Sequence, residues 1–238
     1  MIIRFVLFLL ILFPCAGSIP GLQNREVTCG SPDKDDYTII QNPFLGDLDH
    51  GQPGIAFTTG YGDDSLRWFM VYQNAIDFKP YRAMKIPSNT TVFIDLTSSC
   101  QTFAGRLVRG ADINFDGGVH NLGTWAELNW GSYPLAYGGV SVIEGNDGPV
   151  LLTSEDANTP VLGFTHDIIP TAPEECRVAK DSGGTALKPT DKNGYDEATR
   201  EFTKRVLRTL KVSIDRSYTA TIMSHNGRLE IEFLHGNH

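Results

Sequence analysis

Short apolar runs, cut at regular intervals by Gly, Pro, Asn and Asp, fill the sequence between Tyr37 and Ile168. Turn signals every 8 to 12 residues or so are typical of a β-sandwich or β-barrel. The candidate strands are Tyr37–Ile40, Ile55–Thr58, Trp68–Val71, Thr91–Leu96, Gly105–Val108, Thr124–Leu128, Val140–Glu144, Val150–Thr153 and Val161–Phe164. The pattern predicts a mainly β domain, and the polar segment Ala179–Gly194 is expected to be a loop.

One helix and one closing hairpin are expected after this region. Apolar residues recur every four positions within about 195–210, at Ala198, Phe202, Val206 and Leu210. This period favours a helix with one face on the domain. Further on, Tyr218–Met223 and Arg228–Leu234 flank a turn that contains Asn226-Gly227, and Asn-Gly tolerates the positive φ angles of a tight β-hairpin.

The first 18 residues have the pattern of a secretory signal peptide. Arg4 precedes nine consecutive apolar residues, and Pro14 and small residues follow them. Nine helical residues rise only about 14 Å, whereas a bilayer core needs about 30 Å, so a membrane anchor is disfavoured. We therefore expect a secreted, extracellular protein in which residues 19–238 form a single domain.

Three cysteines remain once the signal, with Cys15, is removed. An oxidising compartment favours one disulfide among Cys29, Cys100 and Cys176, and all three pairings are open. We predict Cys29–Cys100, because this bond would tether the N-terminal segment to the end of a strand. Asn89-Thr90-Thr91 is a glycosylation sequon, so Asn89 is the expected site of an N-linked glycan.

The charge balance excludes some partners. The chain carries 20 Lys and Arg against 28 Asp and Glu, a net charge of −8. Such a surface repels phosphate backbones and anionic lipid, so nucleic acid and membranes are not expected to bind. Neutral or cationic partners remain, polysaccharides among them, and we expect a monomer.

One short segment resembles half of a calcium loop. Asp112, Asn114 and Asp116 alternate before Gly117, as in the first half of an EF-hand. The twelfth position, however, is Gly123 instead of a bidentate Glu, and runs of Asp, Asn and Gly are also ordinary turn chemistry. Calcium is thus the one cofactor for which the sequence offers candidate ligands.

Two carboxylates near aromatic residues are the candidates for carbohydrate chemistry. Glu127 lies within Trp125–Trp130, and Glu144 ends a candidate strand. If those strands are neighbours, both carboxylates could line one cleft, and two carboxylates are the minimum for glycoside hydrolysis. The rings that could stack on sugars are Trp125, Trp130, Tyr133 and Tyr137. The alternative is that both carboxylates are solvated and the tryptophans belong to the core.

Four segments, taken in order, resemble the central part of thaumatin-like proteins. They are Ile86–Val92, Gly105-Arg106, Trp125–Leu128 and Val140–Asn146, and the resemblance covers about residues 84–152. With so few cysteines, the chain is most similar to the small fungal members of that family. The resemblance implies a β-sandwich and an activity toward cell-wall β-glucan.

The resemblance also implies a cleft that combines an arginine, a glutamate and three aspartates. Arg106 corresponds to the arginine and Glu127 to the glutamate, whereas Glu144 stands at one aspartate position and Gly139 replaces another. We expect Arg106 to keep at least one carboxylate ionised. The missing aspartate favours binding over catalysis.

The leading hypothesis is therefore a secreted thaumatin-like protein that binds cell-wall polysaccharide, or that acts at a host or competitor surface. A weak endo-β-1,3-glucanase, with Glu127 and Glu144 as its catalytic carboxylates, is the first alternative. A secreted effector or adhesin that recognises a protein is the second.

Overall fold

The structure is a computed structural model that describes residues 39–40, 46–60, 66–73, 80–95, 103–109, 122–132, 135–156, 161–180, 183–191 and 196–236. Several of the predicted features lie outside these residues. They are the signal segment 1–18, the disulfide Cys29–Cys100, the calcium candidates Asp112, Asn114 and Asp116, and Tyr133.

Strands dominate the described part of the chain, as the alternating pattern predicts. They are β1 (Ile39–Ile40), β2 (Gly54–Gly60), β3 (Leu66–Gln73), β4 (Pro80–Pro87), β5 (Thr90–Asp95), β6 (Phe103–Arg109), β7 (Trp125–Ser132), β8 (Leu135–Ser141), β9 (Val150–Ser154), β10 (Leu162–Gly163), β11 (Arg177–Ala179), β12 (Thr185–Leu187), β13 (Ile222–Ser224) and β14 (Arg228–Leu234). The helix α1 spans Glu197–Leu207, and two 3₁₀ turns span Ile169–Thr171 and Glu174–Cys176.

Two sheets form a β-sandwich. The large sheet has the strand order β1-β4-β3-β6-β7-β8-β13, and the small sheet has the order β10-β9-β14-β2-β5. Their inner faces meet in an aromatic cluster, where the ring of Phe69 on β3 lies 5.3 Å from Phe57 on β2 and 5.1 Å from Phe233 on β14. This contact fuses the two sheets into one hydrophobic core.

Strand β14 shows how the sequence sets the inner and outer faces. Leu229, Ile231 and Phe233 are buried, while Glu230 and Glu232 between them are exposed. Side chains on a strand alternate between its two faces, so this period places the three apolar residues in the sandwich core.

Three stretches differ from the prediction. Strand β4 was not expected, because it begins and ends with proline and carries Arg82 and Lys85 in its interior. Strand β8 begins earlier than predicted and ends at Ser141, so Glu144 lies in the turn that follows. The segment Ala179–Gly194 is not a loop throughout, since β11 ends in it and β12 lies within it, and these two strands pair with each other.

The closing hairpin is only partly as predicted. A strand lies on each side of the turn, and Gly227 adopts a positive φ of 73° within it. Strand β13 contains only Ile222 and Met223 of the predicted Tyr218–Met223. However, β13 pairs with β8 in the large sheet, whereas β14 pairs with β2 and β9 in the small sheet. The turn is held instead by Asp156, whose carboxylate accepts hydrogen bonds from the backbone N–H groups of His225 (2.9 Å) and Asn226 (3.0 Å). The chain therefore crosses between the sheets at this turn.

Helix α1 is confirmed, with a rotated buried face. Asp196 caps its N-terminus by accepting a hydrogen bond from the backbone N–H of Thr199 at 2.8 Å. The buried positions are Thr199, Phe202, Thr203 and Leu207. Val206 and Leu210, which the four-residue period assigned to the core, are 39% and 42% exposed. Within the described residues no helix has both the length and the apolar composition of a membrane span.

A buried ionic cluster connects the two sheets at one end of the sandwich. Asp147 accepts hydrogen bonds from the Lys180 ammonium (2.7 Å) and the backbone N–H of Thr124 (3.0 Å), and its carboxylate lies 3.5 Å from the Arg109 guanidinium. Arg109, on β6 of the large sheet, also donates to the backbone carbonyl of Leu234 on β14 of the small sheet. All three charged side chains of the cluster are buried.

Candidate functional site

A cleft of about 400 Å³ opens on the outer face of the large sheet, the face turned away from the small sheet. Strands β6, β7 and β8 form its floor, and the segment before β13 forms one wall. Four of the side chains selected from the sequence line it: Arg106, Trp125, Glu127 and Tyr137. Asn129, Thr219 and Thr221 also line it and were not foreseen.

Strand register explains how these side chains meet. Arg106 on β6 is the direct cross-strand partner of Glu127 on β7, which in turn faces Gly139 on β8. Two residues further along β7, Asn129 faces Tyr137 on β8. Trp125 and Asn129 are four residues apart on one strand, or about 13 Å at the usual rise per residue. The cleft therefore carries aromatic groups toward both ends and the carboxylate between them.

Trp130 does not belong to this cleft, and its assignment as a sugar-stacking residue is wrong. It is only 3% exposed and lies in the core between the sheets. It lies five positions after Trp125, and an odd difference in position on a strand places two side chains on opposite faces. The alternative interpretation, that a tryptophan belongs to the core, is therefore correct for Trp130.

Arg106 is buried under aromatic rings. Its guanidinium carbon lies 4.5 Å from the ring centroid of Tyr72 on β3 and 4.2 Å from that of Trp125 on β7. These distances are within the range of cation–π interactions. Arg106 is only 1% exposed, so its guanidinium packs against the Trp125 ring while offering little surface to a ligand.

Glu127 is a half-buried carboxylate in the middle of the cleft. Its pKa is raised above the ordinary value of 4.5, chiefly by burial, with a further upward contribution from the negative charge of Glu144. The positive charge of Arg106 acts in the opposite direction, but it does not outweigh burial. Arg106 therefore reduces the upward shift of the Glu127 pKa without reversing it.

Glu144 lies beside the cleft and is largely buried. It is 8% exposed, and its charge acts on the pKa of Glu127. The two carboxylates selected from the sequence are thus electrostatic neighbours. Glu127 lines the cleft itself, whereas Glu144 is held in the turn that follows β8.

No protein-family model matches the chain, and no curated protein matches it. The function is therefore argued from the chemistry of the cleft.

Gly139 has a steric reason to be glycine. A Cβ atom at this position would lie 2.7 Å from the backbone oxygen of Ala220, closer than real Cβ contacts allow. The segment that contains Thr219 and Thr221 thus packs directly against the β8 backbone. An aspartate at position 139 would require this wall of the cleft to move.

The wall is anchored by an ion pair cluster at its base. Asp215 is 8% exposed at its side chain and accepts hydrogen bonds from the guanidinium of Arg200 at 3.1 Å, while the ammonium of Lys204 lies 2.7 Å away. Hydrogen bonds from Lys204 and Ser217 hold the pKa of Asp215 well below its usual range. Helix α1 therefore fixes the segment that carries Thr219 and Thr221.

The remaining sequence candidates fall elsewhere. Asn89 is exposed in the turn between β4 and β5, with a positive φ of 51°. Cys176 is a free thiol and is fully buried in the core. Among the described residues no group of His, Cys, Asp and Glu side chains could hold a metal ion.

Proposed function

We propose that this chain is a secreted carbohydrate-binding protein whose ligand, a cell-wall polysaccharide such as β-glucan, lies across the outer face of the large sheet. The observation that carries the proposal is the joint placement of Trp125, Glu127, Asn129 and Tyr137 in one cleft. Aromatic rings offer apolar surface for the C–H faces of sugar rings, and the carboxylate and amide groups can bond to hydroxyls.

Tyr137 supports this proposal by its exposure. Its side chain is 37% exposed, although an aromatic ring of this size gains more stability when it is buried. Thr219 and Thr221 add exposed hydroxyl groups on the opposite wall. A cleft with aromatic rings and convergent polar groups is the usual form of a small-ligand site.

The resemblance to thaumatin-like proteins also supports it. In that family an arginine and a glutamate share a cleft, and here Arg106 and Glu127 are direct cross-strand partners. A family cleft that has lost aspartates, as at Gly139, is expected to bind sugar more readily than to hydrolyse it.

A pull-down of the mature protein on insoluble β-glucan, chitin and cellulose tests the proposal. Retention on at least one polymer should fall in Trp125→Ala, Tyr137→Ala and Glu127→Gln. Trp68→Ala is the matched control for the first variant, because Trp68 packs in the same apolar cluster but lies outside the cleft. Glu232→Gln, an exposed glutamate on the other sheet, controls for the third. Absence of retention on all three polymers would contradict the proposal.

Hydrolysis is a second candidate, and one observation favours it. A general acid must remain protonated near its working pH, and the pKa of Glu127 is raised, chiefly by burial. Reducing-sugar release from β-1,3-glucan, measured with the same variants, separates the two functions. Steady release by the wild type that Glu127→Gln abolishes would favour the glucanase over the binding protein.

A further inference from the structure

Glu127 has no protein partner in the described part of the chain. No hydrogen bond or ion pair to its carboxylate occurs among those residues, although Arg106 stands directly opposite on the neighbouring strand. The Arg106 guanidinium lies against the rings of Tyr72 and Trp125. A half-buried carboxylate without a partner is costly to the fold unless a ligand supplies one.

The charge that a ligand meets in this cleft is negative. Of the side chains that line it, only Arg106 and Glu127 are charged, and Arg106 is 1% exposed. The charge of Glu144 also acts on Glu127, more weakly than that of Arg106, and the whole chain carries a net charge of −8. The rings of Trp125 and Tyr137 reinforce this preference, because aromatic faces attract cations.

We propose that the cleft selects sugar units that carry a free ammonium group, as in a polymer of glucosamine, over their acetylated or hydroxyl counterparts. This inference rests on the proposed carbohydrate-binding function and narrows its ligand class. The ammonium group would donate hydrogen bonds to the Glu127 carboxylate while the sugar rings lie against Trp125 and Tyr137. A neutral sugar can use the same rings but leaves the charge of Glu127 uncompensated.

The selectivity should depend on pH. Burial raises the pKa of Glu127; the other charges acting on it are Arg106 on β6, which lowers the pKa, and Glu144 in the turn after β8, which raises it. Tyr137 is the further titratable group in the cleft. The carboxylate therefore takes up its proton at a higher pH than an ordinary glutamate, and the preference for the ammonium sugar should disappear as the pH falls through that value.

Calorimetric titration of the mature protein tests this inference. The ligands are oligomers of equal length: glucosamine, N-acetylglucosamine, β-1,3-linked glucose, and lysine as a cationic peptide. Above the pKa of Glu127, the glucosamine oligomer should bind about tenfold or more tightly than its acetylated counterpart, because a hydrogen bond between two charged groups is stronger than one between neutral groups. Glu127→Gln should remove this difference, whereas Glu127→Asp and the control Glu232→Gln should keep it.

The following results would contradict either the inference or the proposed function. Equal affinity for the glucosamine and N-acetylglucosamine oligomers, or a difference that survives Glu127→Gln, would overturn the inference while leaving the carbohydrate-binding function intact. Lysine oligomers that bind as tightly as glucosamine oligomers would also overturn it, because charge alone would then explain the binding. If no sugar oligomer binds, the proposed function itself fails.

Discussion

A half-buried carboxylate should make the fold less stable once it ionises, and Glu127 is such a group. Because its pKa is higher in the folded protein than its usual value of 4.5, the folded state gains stability in the protonated form and loses it as the pH rises through the raised pKa. Glu127→Gln should therefore raise the melting temperature at neutral pH and leave it unchanged in acid. Thermal unfolding over a pH series checks this, with Glu232→Gln as a control that shows no such dependence. A lower melting temperature for Glu127→Gln at neutral pH would contradict it.

The glycine at position 139 should resist replacement by aspartate. A Cβ atom there would meet the Ala220 carbonyl at 2.7 Å, so Gly139→Asp should lower the free energy of unfolding by about 1–3 kcal/mol. Asn129→Asp adds the same charge at an exposed position of the cleft and should cost much less. Denaturant unfolding of both variants measures the difference. Equal stability of the two would show that the wall of the cleft yields easily.

Some residues of the cleft could be predicted from the sequence, and others could not. Arg106, Trp125, Glu127 and Tyr137 were selected from the sequence and line one cleft, the arginine through the resemblance to thaumatin-like proteins and the others because aromatic rings lie close to a carboxylate in the sequence. Trp130 was misplaced, although the odd spacing from Trp125 already places the two rings on opposite faces of a strand. Thr219 and Thr221 carry no signal of their own, since hydroxyl residues are common in turns and their position depends on tertiary packing.

At the scale of elements, the wall of the cleft depends on helix α1. Asp215 bridges the helix to the segment before β13 through Arg200 and Lys204, so Asp215→Asn should lower the free energy of unfolding by about 1–3 kcal/mol. Its depressed pKa gives stability that is fully present above the ordinary aspartate pKa and is lost as the pH falls toward the folded value. Denaturant unfolding over a pH series measures both effects.

The same substitution should also weaken ligand binding, because Thr219 and Thr221 would lose their anchor. Glu201→Gln removes an exposed charge from the same helix and should change stability by less than about 0.5 kcal/mol. If Asp215→Asn reduced stability and ligand binding no more than Glu201→Gln does, the helix would not position the wall.

Most strands were predictable because each contains a short apolar run bounded by turn residues. β2, β3, β5, β6, β7 and β9 coincide in large part with predicted runs, and the apolar residues of β14 alternate with glutamates. The failures have physical causes. Strand β4 was missed because it has proline at both ends and two basic residues between them. The Asn-Gly pair predicted the turn before β14, but it does not determine which strands β13 and β14 pair with. Strand partners are chosen by tertiary packing.

At the scale of the whole molecule, a substitution in the buried ionic cluster should lower the free energy of unfolding more than the other substitutions proposed. Burial raises the pKa of Asp147, but the charges of Lys180 and Arg109 lower it by more, so the carboxylate stays ionised. Asp147→Asn would leave two buried cations without their counter-ion and should cost about 3–5 kcal/mol. Thermal and denaturant unfolding measure the loss, with the exposed Glu175→Gln as the control. A loss below about 1 kcal/mol would show that the sheets are held by their apolar core alone.

The position of β14 has a consequence for how the protein folds as it is synthesised. This strand lies between β2 and β9 in the small sheet, yet it is the last of the described strands to be synthesised. Until residues 228–234 emerge, β2 and β9 lack the neighbour that joins them, and their apolar faces stay exposed. The small sheet therefore cannot be completed before residues 228–234 are made, and closing it is a late step in folding.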